Sequence, residues 1–149
     1  MSTADRVFLD TNILVYGQLR ECGLFETVER RLAELEKSGN ELWISRQILR
    51  EYLSAMTRGK GVTAVPPMQE LLADVRYFCE RYWIAEDGPT VTHHLVELLA
   101  TIPCEGKQIH DANIAATMLA GGIGRLLTHN IDDFRRFSPH ITIEPLVNV

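Results

Sequence analysis

No apolar stretch of this chain approaches the ~20 residues needed to cross a bilayer. The opening residues, Met1 to Arg6, lead into a short apolar segment and not into an export leader. Neither a membrane span nor a secretory signal is expected, so the expected compartment is the cytoplasm. Cysteine is scarce: Cys22, Cys79 and Cys104 are odd in number, widely spaced and in no Cys-x-x-Cys arrangement. That excludes a disulfide framework and a zinc knuckle, and predicts reduced thiols, mostly packed away. Basic residues are in the minority as well, 15 against 20 acids, for a formal charge of −5. This is the wrong sign for a protein that holds nucleic acid by a broad basic surface. A cation bound among clustered acids would reverse the local field, so the total charge constrains the surface more than any site. Repeats and low-complexity segments are also missing. What is present is 149 residues, 46% hydrophobic and 23% charged, enough for one domain with a real core.

Short apolar runs alternate with helical patterns along the whole chain. Val7-Phe8-Leu9 reads as a buried strand that stops at a carboxylate, Asp10. Ile13 to Leu19 reads as a short helix, and Leu24, Val28, Leu32 and Leu35 recur at helical spacing until Ser38-Gly39-Asn40. Leu42-Trp43-Ile44 is a second strand, and Ser45 is placed to cap a helix carrying Ile48, Leu49, Tyr52, Leu53 and Met56. The segment from Arg58 to Pro67 has the glycines and prolines of a loop. Beyond it, a helix over Met68 to Tyr82, a strand Trp83-Ile84-Ala85 and a helix through Leu95, Leu98 and Leu99 to Pro103 are expected. Ile109 to Leu119 is a further helix closed by Gly121-Gly122. Arg125 to Thr128 is a strand, Asp132 to Phe137 one or two helical turns, and Ile141-Thr142-Ile143 the last strand. Such alternation predicts a single α/β domain, a mostly parallel sheet with helices on both sides. In open sheets of this kind ligands bind beyond the carboxyl ends of the strands, where Asp10 is placed.

Asp10, Glu51, Asp111 and the group Asp132-Asp133 are far apart in sequence, and only the fold can gather them. Two like charges about 4 Å apart at an effective dielectric near 20 repel by roughly 4 kcal/mol. A cluster of carboxylates therefore implies protons or a divalent cation. With no cysteine beside them and no paired histidines at ligand spacing, the acids suit Mg²⁺ or Mn²⁺ over Zn²⁺. Each acid also has a structural use. Asp10-Thr11-Asn12 can cap the following helix, Glu51 can be a solvated helix residue, Asp111 a helix-start acid favoured by the macrodipole, and Asp132 and Asp133 can open a short helix. His110 beside Asp111 is more often a packing residue than a general base, and stays outside the catalytic set.

Taken together, Asp10-Thr11-Asn12 after a first strand, Glu51 on a helix opened by Ser45, His110-Asp111-Ala112 opening a small-residue helix, and Thr128-His129-Asn130-Ile131-Asp132-Asp133-Phe134 after a late strand resemble the PIN-domain family. More narrowly they resemble the VapC toxins of bacterial and archaeal toxin–antitoxin pairs. The resemblance runs in order through nearly the whole chain. It implies a three-layer α/β/α fold in which Asp10, Glu51 and Asp111 bind one or two Mg²⁺ or Mn²⁺ ions, and endoribonuclease activity on RNA, often transfer or ribosomal RNA. It also implies an antitoxin of the VapB type as partner and a homodimer. The fourth acidic position departs from the pattern: many relatives carry Asp two residues after the threonine, where this chain has Asn130, with Asp133 three residues further on. Asn130 as a neutral oxygen ligand and Asp133 reaching in directly or through water are both open. Thr11 and Thr128 are expected to orient waters or carboxylates through their hydroxyls, and Asn12 to brace the first loop.

Metal-assisted phosphodiester hydrolysis requires no protein nucleophile. Arg46, Arg50, Arg58, Lys60 and Lys107 are the candidate phosphate contacts, and Tyr16 and Trp43 could stack on bases, although aromatics near strands are more often core. Two competing readings accompany this one. Asp10 could be the phosphoryl acceptor of a phosphotransferase, but Asn12 stands where such folds usually carry a second acid. Alternatively the chain is a non-catalytic or weakly active RNA-binding module, a reading that Asn130 makes plausible.

Overall fold

The computed structural model describes residues 5–59 and 64–147. Five strands, β1 (Arg6–Leu9), β2 (Glu41–Ser45), β3 (Trp83–Ala85), β4 (Arg125–Thr128) and β5 (Thr142–Pro145), form one sheet in the order β3-β2-β1-β4-β5. Every pairing is parallel. Seven α-helices are found among the described residues: α1 (Thr11–Tyr16), α2 (Phe25–Lys37), α3 (Arg46–Arg58), α4 (Met68–Arg81), α5 (Pro89–Thr101), α6 (Gln108–Ala120) and α7 (Ile131–Phe134). None is long and apolar enough to cross a membrane.

The strand order carries the functional consequence. From β1 the chain steps outward through β2 to β3, then returns past β1 to β4 and β5. Right-handed crossovers therefore put α1 to α4 on one face of the sheet and α5 to α7 on the other. The packing agrees, with α1 against α2 and α3, α3 against α4, α5 against α6, and α6 against α7. The winding direction reverses between β1 and β4, and a crevice opens at such a reversal beyond the carboxyl ends of the strands. Asp10 directly follows β1 and Thr128 ends β4, with Leu9 in register with Leu127. The Asp10 amide continues the ladder by donating to the Leu127 carbonyl at 3.0 Å.

Covered on both faces, the central strands carry apolar runs without alternation: Val7, Phe8, Leu9, Leu126 and Leu127 are all fully buried. Helix α6 is rich in small buried residues, Ala112, Ala115 and Ala116, and packs most extensively against α5. Helix α3 begins at Ser45, whose hydroxyl accepts from the Ile48 amide as a cap, and ends at Gly59 in the left-handed region (φ 74°).

Several boundaries differ from those the sequence pattern suggests. Helix α1 runs Thr11–Tyr16 in place of Ile13 to Leu19, because Asp10 caps it early; a 3₁₀ turn, Arg20–Cys22, follows. Tyr82 is extended and lies outside α4. Ile141 lies in the turn after Phe137, and β5 extends to Pro145, which β4 pairs through Thr128. Proline is tolerated there because β5 is an edge strand. Of the three free cysteines, Cys22 and Cys104 are half-buried while Cys79 is exposed, so the expectation of packed thiols fails at Cys79.

Tyr52 joins α3 to α4. It is fully buried, its ring meets Phe78 edge-on at 4.9 Å, and its hydroxyl donates to Asp74 Oδ2 at 2.6 Å. Burial and that carboxylate together push the phenol well above its ordinary pKa. Tyr52→Phe leaves the packing but orphans Asp74. It is expected to cost about 2 kcal/mol, seen as a Tm roughly 4–8 °C lower by calorimetry. An unchanged Tm means the bond contributes nothing.

Candidate active site at the strand ends

Asp10 is only 7% exposed, and its carboxylate is held from three directions. Oδ1 accepts from the Thr11 amide at 2.8 Å, while Oδ2 accepts from the Thr128 hydroxyl at 2.8 Å and from Asn12 Nδ2 at 3.1 Å. The holders are themselves held. Asn12 Nδ2 also lies 3.3 Å from the Thr128 hydroxyl, and Asn12 Oδ1 accepts from the His129 amide at 3.1 Å. The Thr128 hydroxyl in turn accepts from the Asn130 amide at 3.0 Å. The expected supporting roles of Thr11, Asn12 and Thr128 thus have a physical form, and Asp10 both caps α1 and faces the crevice.

Glu51 arrives from α3, and both of its oxygens are engaged. Oε1 accepts from the Thr11 hydroxyl at 3.3 Å and Oε2 from Gln47 Nε2 at 3.0 Å. Asp111 stands in the first turn of α6, reaching the same edge from the opposite face of the sheet. Asp133, in the first turn of α7, is exposed but lies within electrostatic range of both Asp10 and Asp111. Asn130 caps α7 in position only: its side chain makes no capping bond and is exposed.

Burial and acidic neighbours disturb Asp10 and Asp111. Burial is the main reason that the Asp10 carboxyl is pushed from 3.8 up to about 6; the Thr128 and Thr11 bonds oppose the rise, and Glu51 and Asp133 add to it. Burial likewise leads at Asp111, pushed up to about 7, followed by repulsion from Asp133, Asp10 and Glu51, with Arg136 pulling the other way. Every donor is oxygen. Among the described residues no three His, Cys, Asp or Glu side chains are grouped so as to hold a metal ion, so the fit to an ion rests on the chemistry of the donors alone. Mg²⁺ commonly retains several waters and takes one or two carboxylates. The donor set suits such a hard ion better than Zn²⁺, which favours nitrogen and sulfur.

Other expected residues take varied positions. Arg46 is committed to Glu86 through two bonds, 2.9 and 2.7 Å. Arg50, Arg58 and Lys107 are exposed, and Lys60 lies outside the described residues. Tyr16 is half-buried with its ring edge-on to His129 at 5.5 Å, and Trp43 is half-buried, stacked on Trp83. Three residues escaped the sequence reading. Gln47 is buried against Glu51, Asn113 bonds Gln47, and Arg136 counters the charge of Asp111. Gln47 stands one helical turn before Glu51, so it shares its face; that spacing was the available signal.

A family model described as PIN domain matches residues 7–138. Among curated proteins, Ribonuclease VapC24 of Mycobacterium tuberculosis is 25% identical over 142 residues, covering 94% of this chain and 97% of that protein. Among solved structures, VapBC2 from Rickettsia felis, bound to a DNA fragment from its promoter, superposes with a TM-score of 0.72 at 24% identity, covering 94% of this chain and 98% of the other. Mycobacterium tuberculosis VapC20, described as a sarcin-ricin loop cleaving toxin, gives 0.64 at 15% identity over 91% of this chain and 96% of its own.

Raised carboxyl pKa values mean that the folded state binds protons more tightly than the unfolded chain, so stability declines as pH climbs from about 4 through 7. In chelator, the protein is expected to melt higher at pH 5 than at pH 8. Asp111→Asn removes one of the repelling charges. At pH 8 it should raise Tm by roughly 3 °C, about 1 kcal/mol once solvent screening is allowed for, and the gain should vanish near pH 5. A variant no more stable than the parent at pH 8 would show that the acids do not strain the fold.

Proposed function

The chain belongs to the PIN-domain family, and on that premise we propose that it is a Mg²⁺- or Mn²⁺-dependent endoribonuclease acting as the toxin of a VapBC-type pair. One observation carries the reading: Asp10, Glu51, Asp111 and Asp133, from four distant stretches, lie at one sheet edge, where burial first and the neighbouring acid charges second raise the carboxyls of Asp10 and Asp111. A relative named as a ribonuclease and a structural neighbour described as a sarcin-ricin loop cleaving toxin support RNA as substrate, with ribosomal and transfer RNA the classes to test first.

Asp10, Glu51 and Asp111 are the residues to hold the ion, with Asp133 or Asn130 at the fourth position. When bound, such an ion supplies charge to the phosphate and an activated water. The chain supplies placement. Thr128, Asn12 and the Thr11 amide fix the Asp10 carboxylate, the Thr11 hydroxyl and Gln47 fix that of Glu51, and burial of Asp10 shields it from competing solvent. Arg50, Arg58 and Lys107 are free to contact backbone phosphates, whereas Arg46 reaches RNA only by releasing Glu86. Asn130, neutral where an acid is usual, favours one second reading: a weakly active or non-catalytic RNA-binding module.

The partner proposed is a small antitoxin. Between α1, α2 and α4 lies a cavity of 510 Å³ whose lining includes Phe25, Gln18, Arg20, Glu29, Asp74 and Arg81. Phe25 is half-buried there among polar and charged side chains of both signs, a surface that suits a partner helix presenting one apolar anchor within polar contacts. A second copy of the chain is proposed as well. Trp83 is 58% exposed at the open edge of the sheet, an apolar surface that such a contact would cover.

Purified protein incubated with total RNA and Mg²⁺ should produce discrete new ends that chelator abolishes. Asp10→Ala and Asp111→Asn should each lower cleavage by at least a hundredfold while retaining the fold by circular dichroism. Cleavage surviving both changes would remove the acids from the reaction, and metal binding without cleavage would select the binding-module reading. Co-expression with the adjacent small gene should yield a stable complex whose dissociation Phe25→Glu accelerates at least tenfold in a biolayer assay. If no small protein co-purifies, the toxin assignment falls and the nuclease assignment stands.

A further inference from the structure

Among the described residues the buried polar side chains are Asp10, Ser45, Gln47, Thr117 and Thr128. Asp10 and Thr128 form the acid site, Ser45 caps α3, and Thr117 returns its hydroxyl to the Asn113 carbonyl at 2.8 Å. Gln47 has no such local duty. Its amide Nε2 donates both to Glu51 Oε2 at 3.0 Å and to the His110 carbonyl at 2.9 Å, and its Oε1 accepts from Asn113 Nδ2 at 2.8 Å. Asn113 Nδ2 also donates to Asp87 Oδ2 at 3.0 Å, in the loop between β3 and α5. The orientation of the Gln47 amide follows from these partners. Turned over, its oxygen would face a carboxylate and a carbonyl, and its nitrogen another amide nitrogen, so all three contacts would set like against like.

We propose that Gln47, locked by Asn113 and Asp87, is a positioning residue that sets the separation of Glu51 from Asp111. Glu51 lies one turn beyond Gln47 on α3, and the His110 carbonyl immediately precedes Asp111 on α6. One neutral amide therefore spans from an acid on one face of the sheet to the backbone beside an acid on the other. Like charges drive the two helices apart at this edge, and the Gln47 bridge opposes the separation by bonding both without adding charge. Asn113 keeps the bridge from rotating, and its bond to Asp87 ties it to a third segment. The role resembles that of groups behind metal ligands, which carry no ligand atom yet fix those that do.

The proposal rests on the metal-dependent reading above, and the experiment separates the two. Mn²⁺ affinity of the full chain is measured by the paramagnetic resonance signal of free Mn²⁺ for the parent, Gln47→Met and Asn113→Ala, alongside Tm in chelator and steady-state RNA cleavage. Gln47→Met should weaken Mn²⁺ binding about 10–100-fold and lower kcat, with KM for RNA within about twofold. Asn113→Ala, which leaves Gln47 in place and safeguards the test should Gln47→Met not fold, should weaken binding by a smaller factor. Mn²⁺ affinity unchanged in the folded variants overturns the proposal. If the parent neither binds Mn²⁺ nor cleaves RNA, the nuclease reading fails, and metal-free crystal structures of the variants decide the positioning claim alone. Glu51 moved away from the α6 side upholds it, and Glu51 still on Thr11 at its present distance from Asp111 ends it.

Discussion

Burial of carboxylates, with repulsion between them added, governs how the carboxyl edge of this sheet is built. Asp10 and Asp111 titrate far above the ordinary range because burial and neighbouring acids both disfavour their charge. A fold that gathers such groups must hold them by other means, and it does so with neutral donors. Hydroxyls of Thr11 and Thr128, amides of Asn12 and Gln47, and the backbone N–H of Thr11 all point at carboxylate oxygens. Few cations take part: Arg136 acts on Asp111 from a distance, and Arg46 is tied to Glu86. Hydroxyl and amide donors fix geometry while leaving the net negative charge intact. That is the property a cation-binding pocket requires and a purely structural cluster of ion pairs lacks.

Topology makes the gathering feasible. Asp10 and Thr128 follow adjacent parallel strands at the point where the winding reverses, so two central strands deliver their ends to one crevice. Helices α3 and α6, from opposite layers, then contribute one acid each. Buried alanines of α6 and its extensive packing against α5 hold the helix that carries Asp111.

Much of this was legible in the chain itself. The apolar run Val7-Phe8-Leu9 and the segment Arg125 to Thr128 marked the central strands, whose buried residues do not alternate with exposed ones, and Ser45 marked the start of α3 because its hydroxyl caps an amide. Element ends were less legible. Asp10 opens α1 two residues before its apolar pattern begins, and β5 extends over Pro145 because its partner strand sets its length. At the site, ordered short motifs pointed to the acids, and the structure places Asp10, Glu51, Asp111 and Asp133 in one field. Asn113 stayed hidden because an amide on a helix carries no signal until its tertiary partners are known, and for Gln47 the only sequence signal was its spacing one turn before Glu51. Asn130 and Asp133 carry no difference in the sequence pattern that ranks them; Asn130 precedes α7 and Asp133 stands in its first turn.

The chain's two tryptophans sit together, Trp43 stacked on Trp83 with ring centres 5.7 Å apart across β2 and β3. Arg6 lies over the inner indole at 4.9 Å. Intrinsic ultraviolet emission therefore comes mainly from a single spot on the β2–β3 side of the sheet. It follows the opening of that side of the sheet during denaturation, so optical melting of this protein observes the parting of β2 from β3.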